Sequence, residues 1–485
     1  MSRLKIPKHS GLWLFLLAVL SRLPQLLSPY QMLDGDEVVV GLMANHLIHT
    51  DEWPLYYWGQ TYGFAFLEVA FIGLFYQLVG YGQFAVQLAM VVMWSLGIAF
   101  FYKALKTRDT KSWAPILFSL VLIFMPSWAI WSLKARGGYV SAFFLGNLLL
   151  YLLFWKGWNS RWKELLIGLL LLLLFESQSM WLAGLLPYLA YRFWRDKNWK
   201  AIPLQLLGFA IPYLLLKWHK AGLIDFWHAE IFPLRCRDWA SLETLPQEVF
   251  AHFSGSYLFS SFRDPSWAAA AVAWTFCTLL LLAFGIAFWR TLRNRFKLTE
   301  DLAILLSLVG SIAYMLLIPG IHPRYLLPLS GYLLVALFLL SHNKLMKVQT
   351  WTSLAYLPIG AIALLGYTRF SYDDPAAFHQ MMGKLKADKI NAVWSEGGQL
   401  QWQIMFYSEE EIIARYRNRE DRYMPFLKEV QHRYEAKVQH SAIVGKLDTG
   451  NVPDDSAYVH IADTYFYLAN PSKEELKARN FEFDF

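Results

Sequence analysis

Long apolar segments constrain this chain more than any other feature of its sequence. Segments near residues 84–102, 113–132, 138–155, 267–289, 302–319, 325–341 and 351–368 reach or approach the roughly 18 apolar residues that span a bilayer. With the shorter apolar stretches they predict an all-α polytopic membrane protein of about eleven transmembrane helices. Charged residues make up 17% of the chain, whereas soluble domains average about 25%. A water-soluble fold is therefore excluded.

The positive charges predict how the helices are oriented. Lys and Arg cluster in short loops that alternate with poorly charged loops. Because positive loops remain cytoplasmic, the N-terminus is predicted inside and the C-terminal segment outside. The apolar segment 11–20 follows basic residues but precedes no small-residue cleavage site, so we expect it to remain as the first helix. The net charge of +7 is thus a topology signal, and no nucleic-acid partner is predicted.

Two apolar segments depart from simple crossing. If residues 64–79 crossed the membrane, every later basic cluster would be inverted, so we predict an interfacial helix within a first outer loop, 29–83. An ordinary spanning helix remains the alternative. Residues 164–195 are flanked by basic clusters at both ends and contain the polar stretch 176–179. They predict a hairpin whose polar apex faces a protein cavity, since polar backbone at membrane depth needs one.

The composition divides the chain into two predicted domains. Residues 1–368 form the transmembrane domain, with a second outer loop at 218–266, and residues 369–485 are polar and charged. The second part has about the minimum size for one core and is predicted to be a small extracytoplasmic α/β domain. Its pattern predicts strands at 390–394, 411–414 and 457–461, and helices at 400–407 and 423–434.

Charged side chains near the predicted outer ends of the helices are the candidate functional groups, because charges at membrane depth are costly. The acids Asp34, Asp36 and Glu37 follow the first helix, and further acids are Glu68 and Glu176. The bases lie in other loops and are Lys134, Arg136, Arg324 and the neighbouring His322. Acids and bases from distant parts of the chain are therefore predicted to meet at one membrane face.

This combination suits sugar transfer from a lipid phosphate. A departing phosphate is already a stable anion and needs cations and hydrogen bonds. An acceptor hydroxyl is a weak nucleophile and needs a carboxylate base, worth roughly 10²–10⁴ in rate. A glycosidase would instead need two carboxylates that flank one bond.

Each candidate also has a purely structural interpretation. The acids at 34–37 are equally explained as solvated loop residues or as a helix N-cap and first-turn pair. Lys134 and Arg136 are compatible with contacts to lipid headgroups, and Arg324 with an interfacial anchor. For Glu176 a hydrogen-bonded structural role is favoured over catalysis.

Several short motifs resemble those of the membrane glycosyltransferases of the GT-C fold, which include protein O-mannosyltransferases and aminoarabinose transferases. The resemblance covers most of residues 1–370 in layout. It is carried by Gly35-Asp36-Glu37-Val38, by the aromatic stretch 53–63 that includes Tyr62, by 131–139 with Lys134 and Arg136, and by His322-Pro323-Arg324-Tyr325.

The resemblance implies an inverting transfer from a polyprenyl-phosphate-linked donor to a hydroxyl or amine of a glycan, lipid or protein acceptor. It implies Asp36, with Glu37 or Asp34, as base or as ligand of a divalent cation such as Mg or Mn. It implies Lys134, Arg136, His322, Arg324 and Tyr325 around the donor phosphate, and Glu68, Glu176 and Tyr62 elsewhere in the cavity. The expected location is the inner (plasma) membrane of a bacterium.

Other functions remain open at this point. A polytopic transporter or lipid flippase is the main alternative, although the chain lacks the internal repeats that many transporters show. A non-catalytic scaffold or sensor would use the C-terminal domain as its binding module. An oligosaccharide ligase or polymerase would differ from our prediction only in its donor.

Overall fold

A computed structural model describes residues 9–61, 63–109, 112–155, 157, 160–227, 243, 245–254, 257–258, 261–262, 267–315, 327–340, 343–369, 374–417, 423–447 and 458–481. Most of the first 369 residues are helical. The helices are α1 (Ser10–Leu26), α2 (Gly35–His49), α3 (Phe66–Val79), α4 (Gln83–Arg108), α5 (Ala114–Ile123), α6 (Pro126–Trp131), α7 (Tyr139–Phe154), α8 (Arg161–Gln178), α9 (Met180–Asp196), α10 (Ala201–Trp227), α11 (Leu245–Ser254), α12 (Trp267–Arg293), α13 (Glu300–Met315), α14 (Leu327–Leu340) and α15 (Asn343–Gly366).

The predicted helical, polytopic membrane class is confirmed. Among the described residues, α4, the Ala201–Ala221 part of α10, and α12 are long and apolar enough to cross a membrane. Shorter apolar helices include α1, α5, α7 and most of α15. The side of the membrane on which each end lies stays a prediction.

The segment 113–132 forms two helices, α5 and α6, instead of the single helix that its hydropathy suggests. Pro126 opens α6 and provides no backbone N–H, so the helical hydrogen bonds stop before it. The guanidinium of Arg22 fills the break. It donates to the carbonyl oxygen of Ile123 at 2.9 Å and to Ser132 Oγ at 2.8 Å. This buried arginine therefore links α1 to the loop that follows α6.

Close helix packing in the membrane part depends on small residues. α8 packs along α10, with Gly168 and Gly208 at the contact. A Cβ atom on Gly168 would lie 2.1 Å from the carbonyl oxygen of Gln205, and one on Gly208 would lie 2.2 Å from that of Leu165. Glycine thus lets the two backbones touch, as is common between membrane helices.

The two irregular segments form helices at the predicted places. The predicted interfacial segment contains α3, and whether it lies in the interface stays a prediction. The predicted hairpin is α8 followed directly by α9, with its bend at Ser179. α8 also includes residues 161–164 and 176–178, so it is longer than its apolar core. α10 continues to Trp227 and takes in the first ten residues of the predicted loop 218–266, which also holds α11 and the short hairpin β1 (Tyr257–Leu258) and β2 (Ser261–Phe262).

The C-terminal part is a small α/β unit, as predicted. Its elements are α16 (Pro375–Ala387), β3 (Ala392–Ser395), α17 (Gly398–Tyr407), β4 (Ile413–Tyr416), α18 (Met424–Ala436), β5 (Ser441–Lys446), β6 (Val459–Ile461), β7 (Tyr465–Ala469) and α19 (Lys473–Ala478). The strand order is β4-β3-β5-β7-β6. β3 pairs in parallel with β4 and β5, whereas β7 is antiparallel to β5 and β6. The exact boundary between the two domains stays a prediction.

Candidate active site

The acidic loop after α1 is held at the N-terminus of α2. Asp34 is the N-cap residue of that helix, and its Oδ1 accepts the backbone N–H groups of Asp36 and Glu37, both at 3.1 Å. Glu37 Oε2 in turn accepts the N–H of Asp34 at 3.0 Å. This capping box satisfies donors that the first helical turn leaves without partners. The N-cap interpretation is therefore correct for Asp34. The capping box also determines where the side chains of Asp34, Asp36 and Glu37 point.

Two cations from the loop between α6 and α7 meet these acids. Lys134 Nζ lies 2.9 Å from Asp34 Oδ2 and 2.7 Å from Glu37 Oε2. Arg136 Nη2 lies 2.7 Å from Asp34 Oδ2, and its Nη1 lies 3.0 Å from Asp36 Oδ2. Asp34 and Lys134 are 100 positions apart in the chain. The convergence expected from the sequence is thus present for these five residues.

Burial and the shared cations shift the pKa values of Asp34 and Glu37 in opposite directions. Burial opposes ionisation of Asp34, but the charges of Lys134 and Arg136 outweigh it and hold the pKa of Asp34 below its usual range. Burial raises the pKa of Glu37 to about 7, because the charge of Lys134 only partly offsets it and the charge of Asp34 adds to it. Asp34 is therefore the permanent anion, and Glu37 is the acid that can hold a proton near neutral pH.

Asp36 is the accessible acid of the three. Its side chain is 29% exposed, compared with 6% for Asp34 and 1% for Glu37. The hydroxyl of Tyr57 donates to the Asp36 side chain at 3.1 Å and lies 2.9 Å from its backbone oxygen. Tyr57 was not among the residues expected from the sequence, although it lies in the aromatic stretch. Asp36 is thus oriented from both sides and still open to an incoming group.

Glu68 holds the cation loop in place from α3 without contacting the cations. Its Oε2 accepts the N–H of Gly137 at 2.8 Å, and its Oε1 accepts the N–H of Gly138 at 3.0 Å and the hydroxyl of Ser141 at 3.1 Å. These groups form the start of α7, where a carboxylate is favoured by the helix dipole. The geometry gives Glu68 a positioning role immediately beside Arg136.

Glu176 belongs to a separate polar cluster. It accepts the hydroxyl of Tyr56 at 3.1 Å and pairs with Lys220 at 2.6 Å. Its backbone oxygen accepts the N–H of Phe64 at 3.1 Å. These contacts are those of a hydrogen-bonded structural residue, and the place of Glu176 in a donor cavity stays a prediction. Lys220 was not expected from the sequence, although an ionisable residue within an apolar helix was the available signal.

Four expected site residues lie outside the described residues. They are Tyr62, His322, Arg324 and Tyr325. Their assignment to the cavity or to the donor phosphate stays a prediction.

The C-terminal domain packs directly on the acidic loop, a contact that the sequence did not indicate. α17 lies against α2, and Gln403 Nε2 donates to the carbonyl oxygen of Leu33 at 2.9 Å. A Cβ atom on Gly35 would lie 2.6 Å from Cβ of Gln399. Asp34 and Asp36 thus flank a close contact between the two parts of the chain.

A second contact between these parts is centred on a histidine. The ring of His46 lies between Glu52, with Nδ1 at 3.2 Å from Oε2, and Glu410, with Nε2 at 3.1 Å from Oε2. Burial lowers the pKa of His46, but the hydrogen bonds and charges of Glu410 and Glu52 outweigh it and raise this pKa to about 9. A protonated His46 therefore links α2 to Glu410, in the turn between α17 and β4, at neutral pH.

The expected divalent cation does not fit the arrangement of acids that the structure describes. Asp34 and Glu37 direct oxygens at Lys134, and Asp36 directs one at Arg136. Within the described ranges, no group of three His, Cys, Asp or Glu side chains could hold a metal ion. A metal ion at Asp36 or Glu37 would have to displace the side chain of Arg136 or Lys134, so we derive no step through a metal.

The helical membrane part and the α/β tail together form the GT-C fold of membrane glycosyltransferases, so the expected resemblance is confirmed at the level of the fold. ArnT from Cupriavidus metallidurans in the apo state is similar with a TM-score of 0.64 and 12% identity, over 95% of this chain and 98% of that one. ArnT from the same organism bound to undecaprenyl phosphate gives a TM-score of 0.63 and 12% identity, over 96% and 99% of the two chains. An Archaeoglobus fulgidus oligosaccharyltransferase in complex with Zn and sulfate gives 0.53 and 10%, over 91% and 68%. No protein-family model and no curated protein matches the chain.

Proposed function

We propose that this protein is a glycosyltransferase that moves a sugar from a polyprenyl-phosphate-linked donor to an acceptor hydroxyl or amine at the outer face of its membrane. The observation that supports this most is the ion-paired cluster of Asp34, Asp36, Glu37, Lys134 and Arg136, which has one accessible carboxylate. The fold adds support, because one protein that shares it binds undecaprenyl phosphate.

Asp36 is the proposed base. The acceptor's O–H or N–H proton passes to the Asp36 carboxylate while the acceptor atom forms a bond to the anomeric carbon. The bond from that carbon to the phosphate oxygen breaks, and its electron pair leaves with the polyprenyl phosphate. Attack from the face opposite the phosphate inverts the anomeric configuration. The sum of the step is acceptor plus donor giving glycosylated acceptor, polyprenyl phosphate and a proton.

Arg136 is the proposed partner of the departing phosphate. Its guanidinium is bound to Asp34 through Nη2 and to Asp36 through Nη1. A phosphate that takes over the Nη1 contact would stabilise the leaving group and free Asp36 to accept a proton. Lys134 is buried against Asp34 and Glu37, so we assign it a fixed positive charge beside the phosphate. The predicted contributions of His322, Arg324 and Tyr325 belong to the same proposal.

The test is Asp36→Asn in purified protein reconstituted in lipid nanodiscs. The probes are polyprenyl-phosphate hexoses and pentoses with membrane glycan and lipid extracts as acceptors, and the readout is release of polyprenyl phosphate. We expect the rate to fall about 10²–10⁴-fold with an unchanged melting curve, because the base is lost while the loop keeps its shape. Asp51→Asn, an exposed acid beyond the other end of α2, serves as the matched control and should retain full activity.

Two results would contradict the proposal. Normal turnover in Asp36→Asn would remove this residue from the reaction. Movement of the intact donor across the bilayer, without release of polyprenyl phosphate, would favour the flippase alternative instead.

A further inference from the structure

Helix α17 of the C-terminal domain holds both backbone groups of the residue that precedes the acids. The N–H of Leu33 donates to the hydroxyl oxygen of Tyr407 at 3.0 Å, and the carbonyl oxygen of Leu33 accepts Gln403 Nε2 at 2.9 Å. Both Leu33 and Gln403 are buried. Buried backbone groups need hydrogen-bond partners, and those of Leu33 find them in side chains that lie 370 or more positions later in the chain.

The hydroxyl of Tyr407 extends this support back along the loop. It donates to Oε1 of Gln83, the first residue of α4, at 2.7 Å. Gln83 Nε2 in turn donates to the carbonyl oxygen of Gln31 at 2.9 Å. The backbone of residues 31–33 is therefore connected to α17 both directly and through Gln83.

α17 is a rigid support for these two side chains. Every residue from 400 to 406 is buried. A Cβ atom on Gly41 of α2 would lie 2.5 Å from the ring of Phe406, so the two helices touch there as they do at Gly35. Because close-packed elements transmit displacement to each other, a change in α17 would reach α2 and the loop before it.

The position of the acids depends on the backbone of Leu33. This residue directly precedes Asp34, whose side chain caps α2 through the N–H groups of Asp36 and Glu37. If the backbone groups of Leu33 lost their partners, they would turn toward water, because leaving them buried and unpaired is costly. The cap residue would rotate with them and shift the Asp36 carboxylate.

The cations have support of their own. Lys134 and Arg136 belong to the loop before α7, and Glu68 holds that loop at two backbone N–H groups. A disturbance at α17 would therefore move the acids relative to the cations. Misplacing a reacting group by about 1 Å lowers a catalytic rate about 10²-fold.

We propose that α17 positions the acidic loop for the transfer, with Gln403 and Tyr407 as the positioning residues. This inference rests on the proposed function and gives the C-terminal domain a part in it. The two side chains act through Leu33 and take no part in the chemistry.

The first readout is hydrogen exchange of the backbone amides, which needs no substrate. It compares Gln403→Met and Tyr407→Phe with the wild type, in the full-length protein in nanodiscs. Gln403→Met keeps the length of the side chain and removes the donor, whereas Tyr407→Phe removes only the hydroxyl. We expect the amides of residues 33–37 to exchange about 5- to 10-fold faster in each variant, the equivalent of one hydrogen bond.

The second readout is transfer, with the same donors and acceptors as in the test of Asp36→Asn. We expect kcat to fall about 10- to 100-fold in Gln403→Met and Tyr407→Phe, because the base is misplaced. The KM for the donor should stay close to that of the wild type, because the cations that bind the phosphate keep their place.

Two control variants remove comparable bonds that do not reach the loop. Tyr81→Phe removes a hydroxyl that donates to the carbonyl oxygen of Phe406 on α17 at 3.1 Å. Asn45→Leu removes an amide that donates to Glu410 at 3.0 Å, roughly 12 Å beyond Glu37 along α2. Both controls should lower the melting temperature as the test variants do, but leave kcat and the exchange of residues 33–37 unchanged.

The outcomes distinguish failure of this inference from failure of the proposed function. If exchange at residues 33–37 is unchanged in both test variants, the inference is refuted, and the function still stands on Asp36→Asn. If the test and control variants lower kcat equally, α17 only stabilises the fold, and the inference is again refuted. If the wild type releases no polyprenyl phosphate, the proposed function fails, and the exchange data alone decide whether α17 holds the loop.

Discussion

Lys134→Met should strongly destabilise the fold. The ammonium group contacts Asp34 at 2.9 Å and Glu37 at 2.7 Å, and none of the three side chains is more than 9% exposed. Its removal leaves Glu37 without a cation, while Asp34 retains Arg136. Breaking one partner of a buried ion pair costs about 3–5 kcal/mol. For 485 residues the unfolding entropy is about 1 kcal/mol per kelvin, so the melting temperature should fall by about 3–5 °C.

The assay is thermal unfolding in nanodiscs followed by tryptophan fluorescence at pH 8. The exposed Lys384→Met is the control and should melt with the wild type. Lys134→Met with Glu37→Gln should recover most of the loss, because the uncompensated charge is then absent. The deficit of the single variant should also shrink as the pH falls, since Glu37 can take up a proton. A single variant that melts within about 1 °C of the wild type would refute this account of the cluster.

Further predictions concern the contact between the two domains and the glycine turn beside the cations. Because the pKa of His46 is raised to about 9, its ion pairs stabilise the fold fully below about pH 6.5, and this stabilisation is lost as the pH rises through 9. Because Glu52 is half-exposed, its share is discounted, and the loss of stability is about 1–2 kcal/mol. Between pH 6.5 and 9.5 the melting temperature of the wild type should therefore fall by about 1–2 °C more than that of His46→Gln. The control variant, His49→Gln, should behave as the wild type does. Gly138 has φ +126°, and a Cβ there would lie 2.6 Å from the carbonyl oxygen of Ser177. Gly138→Ala should therefore cost about 1–3 kcal/mol in unfolding experiments and reduce transfer by displacing Arg136, whereas Gly383→Ala, in an open helical position, should do neither.

The membrane class and the general fold could be predicted because they depend on local sequence. Apolar segments of spanning length and alternating basic loops specify helices and their order directly. The break at Pro126 was overlooked because hydropathy alone does not register a missing N–H. In the C-terminal domain the predicted strands and helices occur within about three residues of their predicted bounds, the usual uncertainty of such boundaries. β5 and β7 were missed because short buried strands have no periodicity of their own.

The site was predictable in its residue types but not in its pairings. Charges near the outer ends of apolar helices indicated that Asp34, Asp36, Glu37, Lys134 and Arg136 would meet. Which acid remains accessible could not be foreseen, because it depends on the capping box and on partners about 100 positions away.

Two further contacts of the acids were not foreseen. Tyr57 lies 21 positions from Asp36, and nothing in the aromatic stretch distinguished it from its neighbours. Lys220 had a signal, an ionisable side chain on an apolar helix, but its pairing with Glu176 depends on how α8 and α10 pack.

The close approach of Gly35 to Gln399 has a consequence for biosynthesis. The ribosome makes Gln403, which binds the acidic loop, 370 residues after Leu33. A nascent chain can therefore carry its membrane helices while this loop still lacks one wall. If the proposed transfer needs that wall, it becomes possible only after α17 has been made.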